Sequence, residues 1–130
     1  MTPSHFNAFC GALGPTTHVV QWGGAHVWKI GGKVFAIGGW DKDDAAHRAD
    51  ADFLSVTFKC SELSYDLLRS EPGCRPAPYL ASRGMKWIQR TSDETLDDAG
   101  LEDYLRESFR LVALKLTKAR RRELGLETTR

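Results

Sequence analysis

The sequence predicts an α+β fold, a two-layer sandwich in which helices pack on one face of an antiparallel sheet. Three short runs of β-branched and aromatic residues are punctuated by Gly-Gly pairs at 23–24, 31–32 and 38–39, which is typical of strands joined by tight turns. Apolar residues recur at helical spacing before these runs and after them. Hairpin-linked strands with helices on either side in the chain indicate the α+β class.

The first part of the chain predicts one helix and a three-stranded meander. Residues 5–13 carry apolar side chains at helical spacing, and Ser4 is the expected N-cap. The strands are expected at 19–22, 27–30 and 34–37. Closing the hairpin at Gly31-Gly32 pairs Ile30 with Lys33 and Trp28 with Phe35, which assigns every side chain of the hairpin to a face. One face then carries Trp28, Ile30, Phe35 and Ile37, and the other carries Val27, Lys29, Val34 and Ala36.

The middle of the chain predicts a loop, a strand and a helix. Residues 41–52 are polar and form the loop, whereas 53–59 alternate between apolar and polar as a half-buried strand does. Ser61 is a suitable N-cap for the helix that follows. The expected buried stripe of this helix is Leu63, Leu67 and Leu68.

The last part of the chain predicts an extended segment, a strand and a long helix. Two prolines keep 75–80 extended, because each restricts itself and the residue before it. Residues 86–90 form a short strand. An amphipathic pattern begins at Leu101 and continues through Glu123, so a single helix is expected over that range.

Composition and charge describe one soluble domain over residues 1–130. Charged residues make up 27% of the chain, and no apolar run approaches the ~20 residues that cross a bilayer. The three cysteines are widely spaced, which indicates free thiols in a reducing compartment, so a cytoplasmic protein is expected. A monomer is also expected. Net charge is +1, but the tail at 115–130 is basic, with six basic and two acidic side chains.

Several segments, in this order, resemble the MmcQ/YjbR family of small bacterial proteins. They are WKIGGKVFA at 28–36, FKC at 58–60, PG at 72–73, RPAPYL at 75–80 followed by Trp87, and ESFRLV at 107–112. The resemblance implies a frataxin-like (CyaY-like) fold, and members of the family are often described as predicted DNA-binding proteins. Many relatives have His where Tyr79 stands, so any role of that His does not carry over.

No motif in the sequence predicts a catalytic or metal site. Gly31-Gly32-Lys33 lacks the first glycine and the Ser/Thr of a phosphate-binding loop, so these are turn glycines. The histidines at 5, 18, 26 and 47 have no ligand spacing, and the aspartates at 41–44 do not complete a calcium loop. Neither a metal, a cofactor nor an enzymatic activity is expected.

Two basic surfaces are the candidate binding sites. One is the sheet face opposite the helices, where Trp87 is expected to point away into the core. If the side chains of the strand at 86–90 alternate the other way, Trp87 and Gln89 lie on the open face. Trp87 is then a platform on which a base or an aromatic ligand can stack. The other surface is the basic tail, which can also be a solvated helix end. The candidate residues are Lys29, Lys59, Lys86 and Arg90 on the sheet and Lys118, Arg120, Arg121 and Arg122 in the tail.

The leading hypothesis from the sequence is a non-enzymatic binding module, with DNA as the first candidate ligand. Its lysines and arginines would contact phosphates without reading the base sequence. The alternative is a module that binds a protein or a small molecule and no nucleic acid. The acidic segment at 93–107 could then contact a basic protein partner.

Overall fold

The computed structural model describes residues 1–39, 53–78, 80 and 84–126. The loop predicted at 41–52 and Tyr79 lie outside the described residues. Four helices are described: α1 (Pro3–Gly11), α2 (Glu62–Leu68), α3 (Asp98–Ala113) and α4 (Lys118–Glu123). Six strands are described: β1 (Thr16–Gln21), β2 (Ala25–Ile30), β3 (Lys33–Gly38), β4 (Val56–Lys59), β5 (Cys74–Pro76) and β6 (Trp87–Arg90).

The strands form one open antiparallel sheet in the order β1-β2-β3-β4-β6-β5. The main core lies between one face of this sheet and the helices, which confirms the predicted α+β class. Within it, Phe35 packs edge-on against Phe109 of α3, and Phe58 stacks on Tyr104 of the same helix. No helix in the described part of the chain has both the length and the apolarity that crossing a membrane requires.

A β-bulge changes the faces that the β2–β3 hairpin presents. Ile30 pairs with Lys33 as predicted, but the register shifts between Trp28 and Lys29, so Trp28 pairs with Ala36 rather than Phe35. The extra residue in β3 is Phe35, and beyond it each side chain moves to the other face. Ala36 therefore packs in the main core. Ile37 packs on the opposite face with Ala25 and Val27.

The parity of β6 also differs from the leading expectation. Ile88 pairs with Phe58 and Arg90 with Val56, and Ile88 belongs to the main core on the helix side. Successive strand residues point to opposite faces, so Trp87 and Gln89 lie on the face away from the helices. The alternative parity is therefore the one observed, although Trp87 is only 5% exposed.

Side-chain caps determine where the helices begin. Thr2, rather than Ser4, caps α1 by accepting a hydrogen bond from the His5 amide at 3.0 Å. Ser61 caps α2 as predicted. Thr117 accepts a hydrogen bond from the Arg120 amide and starts α4 as a separate helix, so the single helix expected over 101–123 is wrong.

The buried stripe of α2 differs from the prediction as well. Leu68 is buried as expected, together with Tyr65. Leu63 and Leu67 are instead 71% and 59% exposed. The prediction failed because several apolar spacings fit this seven-residue helix, and burial selects the pair three residues apart.

Candidate functional site

A cavity of about 460 Å³ lies along β3, on the side of the sheet opposite the helices. Val34 and Ile37 of β3 line it. The paired parts of β3 and β4 are residues 36–38 and 56–58, so the first residues of β3 extend past this pairing. At that end the cavity reaches the helix layer, where Val112 and Lys115 line it. The cavity therefore connects the sheet face with the end of α3.

Three lysines line this end of the cavity. Lys33 begins β3 and Lys59 ends its antiparallel neighbour β4, so both lie at the same end of the strand pair. Lys115 lies there too, because the next residue, Leu116, packs on the β2–β3 turn: a Cβ on Gly31 would be 2.8 Å from Leu116 Cδ1. None of these ammonium groups forms an ion pair within the described residues.

The other walls of the cavity are apolar and aromatic. Trp22 follows β1, near the end of the sheet where His26 pairs with Gly38, and thus lies away from Lys33. Its φ of 54° lies in the left-handed region, which is uncommon for a residue other than glycine. Leu80, Met85 and Trp87 also line it, and the lining residues that the structure describes include no acidic side chain. One end is therefore cationic and the remainder apolar.

Trp87 combines a cavity-lining position with an unsatisfied polar atom. It pairs with Lys59 across β4 and β6, so the indole lies beside the lysine end. Its Nε1 is buried and has no hydrogen-bond partner among the described residues. A buried donor without an acceptor is destabilising by roughly 1–3 kcal/mol, and only a few such atoms occur in a native protein; the other one among the described residues is Arg90 Nη1.

A row of polar side chains crosses the same face of the sheet. Gln89 Nε2 donates to Thr57 Oγ1 at 3.1 Å, and Gln89 Oε1 accepts from Arg75 Nε at 2.9 Å. Thr57 and Gln89 have no exposed surface. This face is therefore not the openly solvated basic surface that the sequence suggested.

The structure brings one of the four predicted sheet residues into the cavity. Lys59 lines it. Lys29 pairs with Val34 and is half-buried one strand away, so it lies beside the cavity without lining it. The Lys86 ammonium lies 4.8 Å from the ring centroid of Tyr65 and is thus directed towards α2.

Arg90 lies in the protein interior, which corrects its expected place on the open face. Its side chain has no exposed surface, and its Nε and Nη2 donate to Leu96 O and Asp98 Oδ1, each at 3.0 Å. The prediction failed because β6 has two apolar residues followed by two polar ones, so each face carries one of each and the pattern does not indicate which face is which. Arg90 cannot contact a phosphate from this position.

The predicted tail residues have different environments. Arg120 forms an ion pair with Glu123 at 3.0 Å. Arg121 donates to the carbonyls of Leu114 and Leu116, so it caps the end of α3 rather than facing a ligand. Lys118 and Arg122 are exposed and form no ion pair within the described ranges.

The cysteines are buried thiols. Burial raises the pKa of Cys60 to about 11, although Lys59 opposes the shift. Burial also raises the pKa of Cys10 and of Cys74. At neutral pH these groups therefore remain protonated and are poor nucleophiles.

Two of the scattered histidines meet across the β1–β2 hairpin. His18 Nε2 and His26 Nδ1 are 3.1 Å apart, and the His18 ring also stacks on Trp28. Burial, and then the proximity of His18, lowers the pKa of His26 below its ordinary value. Sequence spacing missed this pair because only the strand register brings positions 18 and 26 together.

These features define a small α+β protein with a ligand-sized cavity on its sheet, cationic at one end. The family model that matches the chain is YjbR, over residues 11–111. The chain belongs to the YjbR family, which confirms the resemblance seen in the sequence.

Two solved structures are similar to the whole chain. A Deinococcus radiodurans protein with a DUF419 domain superposes with a TM-score of 0.76 and 26% identity, covering 97% of this chain and 89% of that one. A Pseudomonas syringae protein has a TM-score of 0.63 and 17% identity, covering 86% and 99%, and supports the fold alone. No curated protein matches the chain.

Sequence reasoning missed Lys33, Lys115 and the cavity itself. The sequence indicates Lys33 as a residue of the β2–β3 hairpin and of an incomplete phosphate-loop motif, and Lys115 as part of the basic tail. Together with Lys59 they come from three distant segments, so no local pattern indicates that they share a site. The one available signal in the sequence was that all three residues are lysines.

Proposed function

We propose that this protein is a non-enzymatic binding module that holds an anionic ligand in the cavity along β3. The observation that carries the proposal is the set of three lysines at one end of an otherwise apolar cavity. Among the described residues, no acidic side chain lines the cavity and the three lysines form no ion pair, so their charge is available to a ligand.

The size of the cavity supports a small molecule as the ligand. Its volume of about 460 Å³ falls within the range of roughly 300–1,000 Å³ that is usual for small-molecule sites. Such sites typically combine apolar walls with a few polar groups that fix orientation. The protonated, buried thiols further favour binding over nucleophilic catalysis.

The experiment compares two variants with the same change in net charge. The cavity variant is K33Q/K59Q/K115Q, and the control is K118Q/R120Q/R122Q. We expect small organic anions at millimolar concentration to raise the Tm of the wild type and the control equally, because a ligand that binds only the folded state stabilises it. The cavity variant should show no rise. Equal responses of both variants would refute the site.

Nucleic acid is the second candidate ligand. It is favoured by the exposed Lys118 and Arg122, since Leu124 of the same region packs near Gly31 and brings α4 close to the lysine end of the cavity. Phosphate contacts there would bind DNA without sequence preference. The interior position of Arg90 weakens this candidate.

Fluorescence anisotropy with single- and double-stranded oligonucleotides tests the second candidate. Binding through the tail should weaken with salt, and K118Q/R120Q/R122Q should reduce the slope of log K against log salt by about 2–3. Absence of binding at low salt would remove DNA as a ligand.

A further inference from the structure

The two ends of the cavity differ in charge, and this difference restricts the kind of ligand that can fill it. Lys33 at one end of β3 and Trp22 near the other lie on opposite sides of Val34 and Ile37. Lys33 and Ile37 pair with Ile30 and Val27, which are three steps apart in β2, so this part of the groove is roughly 10 Å long. A ligand that fills it must therefore carry its charge at one end only.

The lysine end is suited to a compact anionic group. Lys33 comes from β3, Lys59 from β4 and Lys115 from the link between α3 and α4, and all three line this end, where a single head group would attract their charges. The indole of Trp87 is the neighbour of Lys59 across the strands. An oxygen of such a head group is a suitable acceptor for the otherwise unpartnered Trp87 Nε1.

The remaining walls are suited to an unbranched or flat apolar body. Val34, Ile37, Leu80 and Met85 offer no charge, and a methionine adapts to ligands of differing shape. Burying a neutral polar body there would leave its hydrogen-bonding groups without partners. The body of the ligand is therefore hydrocarbon in character.

We infer that the ligand is an amphipathic organic acid, whose carboxylate or phosphate lies among the three lysines and whose apolar body runs along β3 towards Trp22. This inference rests on the proposed function and specifies its ligand class. It predicts that both parts of the ligand are required, the anionic head for the lysines and the apolar body for the groove.

Three probes separate the contributions of head and body. Octanoate has both, 1-octanol has the body without the charge, and inorganic phosphate has a charge without the body. Binding is measured by isothermal titration calorimetry and by the fluorescence of the cavity tryptophans. We expect octanoate to bind at least tenfold more tightly than either of the other two. Octyl phosphate then shows whether a phosphate head is preferred to a carboxylate.

Variants assign the contacts. K33Q/K59Q/K115Q should bind octanoate no better than 1-octanol, while K118Q/R120Q/R122Q should behave as the wild type. Trp87→Phe keeps a ring but removes the N–H. It should lower the affinity for octanoate about tenfold and change the affinity for 1-octanol little. Val34→Trp fills the groove and should abolish octanoate binding, with the Tm of each variant confirming that it folds.

The outcomes distinguish this inference from the proposed function. Phosphate binding as tightly as octanoate, and still dependent on the three lysines, would overturn the ligand class but keep an anion site. Equal binding of octanoate and 1-octanol would show that the lysines take no part and would overturn both. Failure of all the anionic probes to bind would likewise overturn both.

Discussion

The Arg90 guanidinium, which has no exposed surface, donates a 3.0 Å hydrogen bond to the carboxylate of Asp98, the first residue of α3. Burial tends to raise the pKa of Asp98, but hydrogen bonds from the chain's amino group and from Arg90 outweigh it, and the pKa falls below its ordinary value. The pair connects Arg90, the last residue of β6, to the first residue of α3. It is also asymmetric, because Asp98 is 45% exposed.

This asymmetry predicts unequal effects of removing each partner. Asp98→Ala should lower the free energy of unfolding by about 3 kcal/mol, since it leaves a buried charge without its counterion. Arg90→Met should cost only about 1–2 kcal/mol, because the remaining carboxylate can be solvated. Urea denaturation measures both, with the exposed Arg110→Ala as a control of much smaller effect. A larger loss for Arg90→Met would contradict this account.

The two glycines of the β2–β3 turn should differ in their tolerance of a side chain. Both have positive φ, +60° at Gly31 and +85° at Gly32, so alanine costs about 1 kcal/mol at each. Only at Gly31 would the new Cβ meet a neighbour, the Leu116 side chain at 2.8 Å. Gly31→Ala should therefore lose about 1 kcal/mol more stability than Gly32→Ala.

Gly31→Ala should also weaken the binding of octanoate, because displacing Leu116 moves the adjacent Lys115. Gly32→Ala is the matched control, since nothing lies within 4 Å of its Cβ. Calorimetry on the two variants measures this effect separately from stability. Identical affinities would show that the turn does not position Lys115.

The histidine pair predicts a loss of stability on acidification. The folded state disfavours protonated His26, whose pKa is lowered from 6.5. Below pH 6.5 the unfolded chain therefore binds more protons at this position, and stability falls as the pH drops through 6.5 towards the folded value. Between pH 7.5 and 5.5 the wild type should lose more free energy of unfolding than His26→Gln. Parallel pH profiles of the two proteins would refute the role of the pair.

The cysteines should resist alkylation while the protein is folded. Because burial raises the pKa of Cys60 to about 11, very little thiolate exists at pH 7.5. Mass spectrometry after iodoacetamide treatment should show slow labelling of Cys10, Cys60 and Cys74, and rapid labelling in urea. Fast labelling of native Cys60 would indicate a reactive site that the structure does not explain.

The sequence was sufficient for the fold class and most element positions, but not for the faces of two strands. Gly-Gly punctuation and helical spacing are local signals, and they located β1 to β3, α1, α2 and the start of α3 within a few residues. Strict alternation does not include the bulge at Phe35, so it predicts the wrong faces for Ala36 and Ile37. In β6 both faces carry one apolar and one polar residue, and periodicity alone could not choose between them.

The candidate site was harder to predict because it depends on topology. Lys33, Lys59 and Lys115 come together only when β4 pairs with β3 and Leu116 packs on the turn at Gly31. The sequence indicates a surface position for Arg90, because arginine is rarely buried unless it is paired. No sequence pattern indicates that Asp98 is the partner of Arg90. The basic character of the sheet residues identified Lys59 as a candidate, but it did not indicate that Lys33 and Lys115 line the same cavity.

The bulge at Phe35 makes the width of the cavity depend on strand alignment. In a regular hairpin Ala36 would follow Val34 on the cavity side, whereas the extra residue places the larger Ile37 there. Closing the hairpin without the bulge would thus exchange isoleucine for alanine in the floor, whereas deleting the extra residue Phe35 would leave Ile37 in place. The size of the side chain in the cavity floor is therefore determined by how β2 and β3 align, in addition to the sequence of β3.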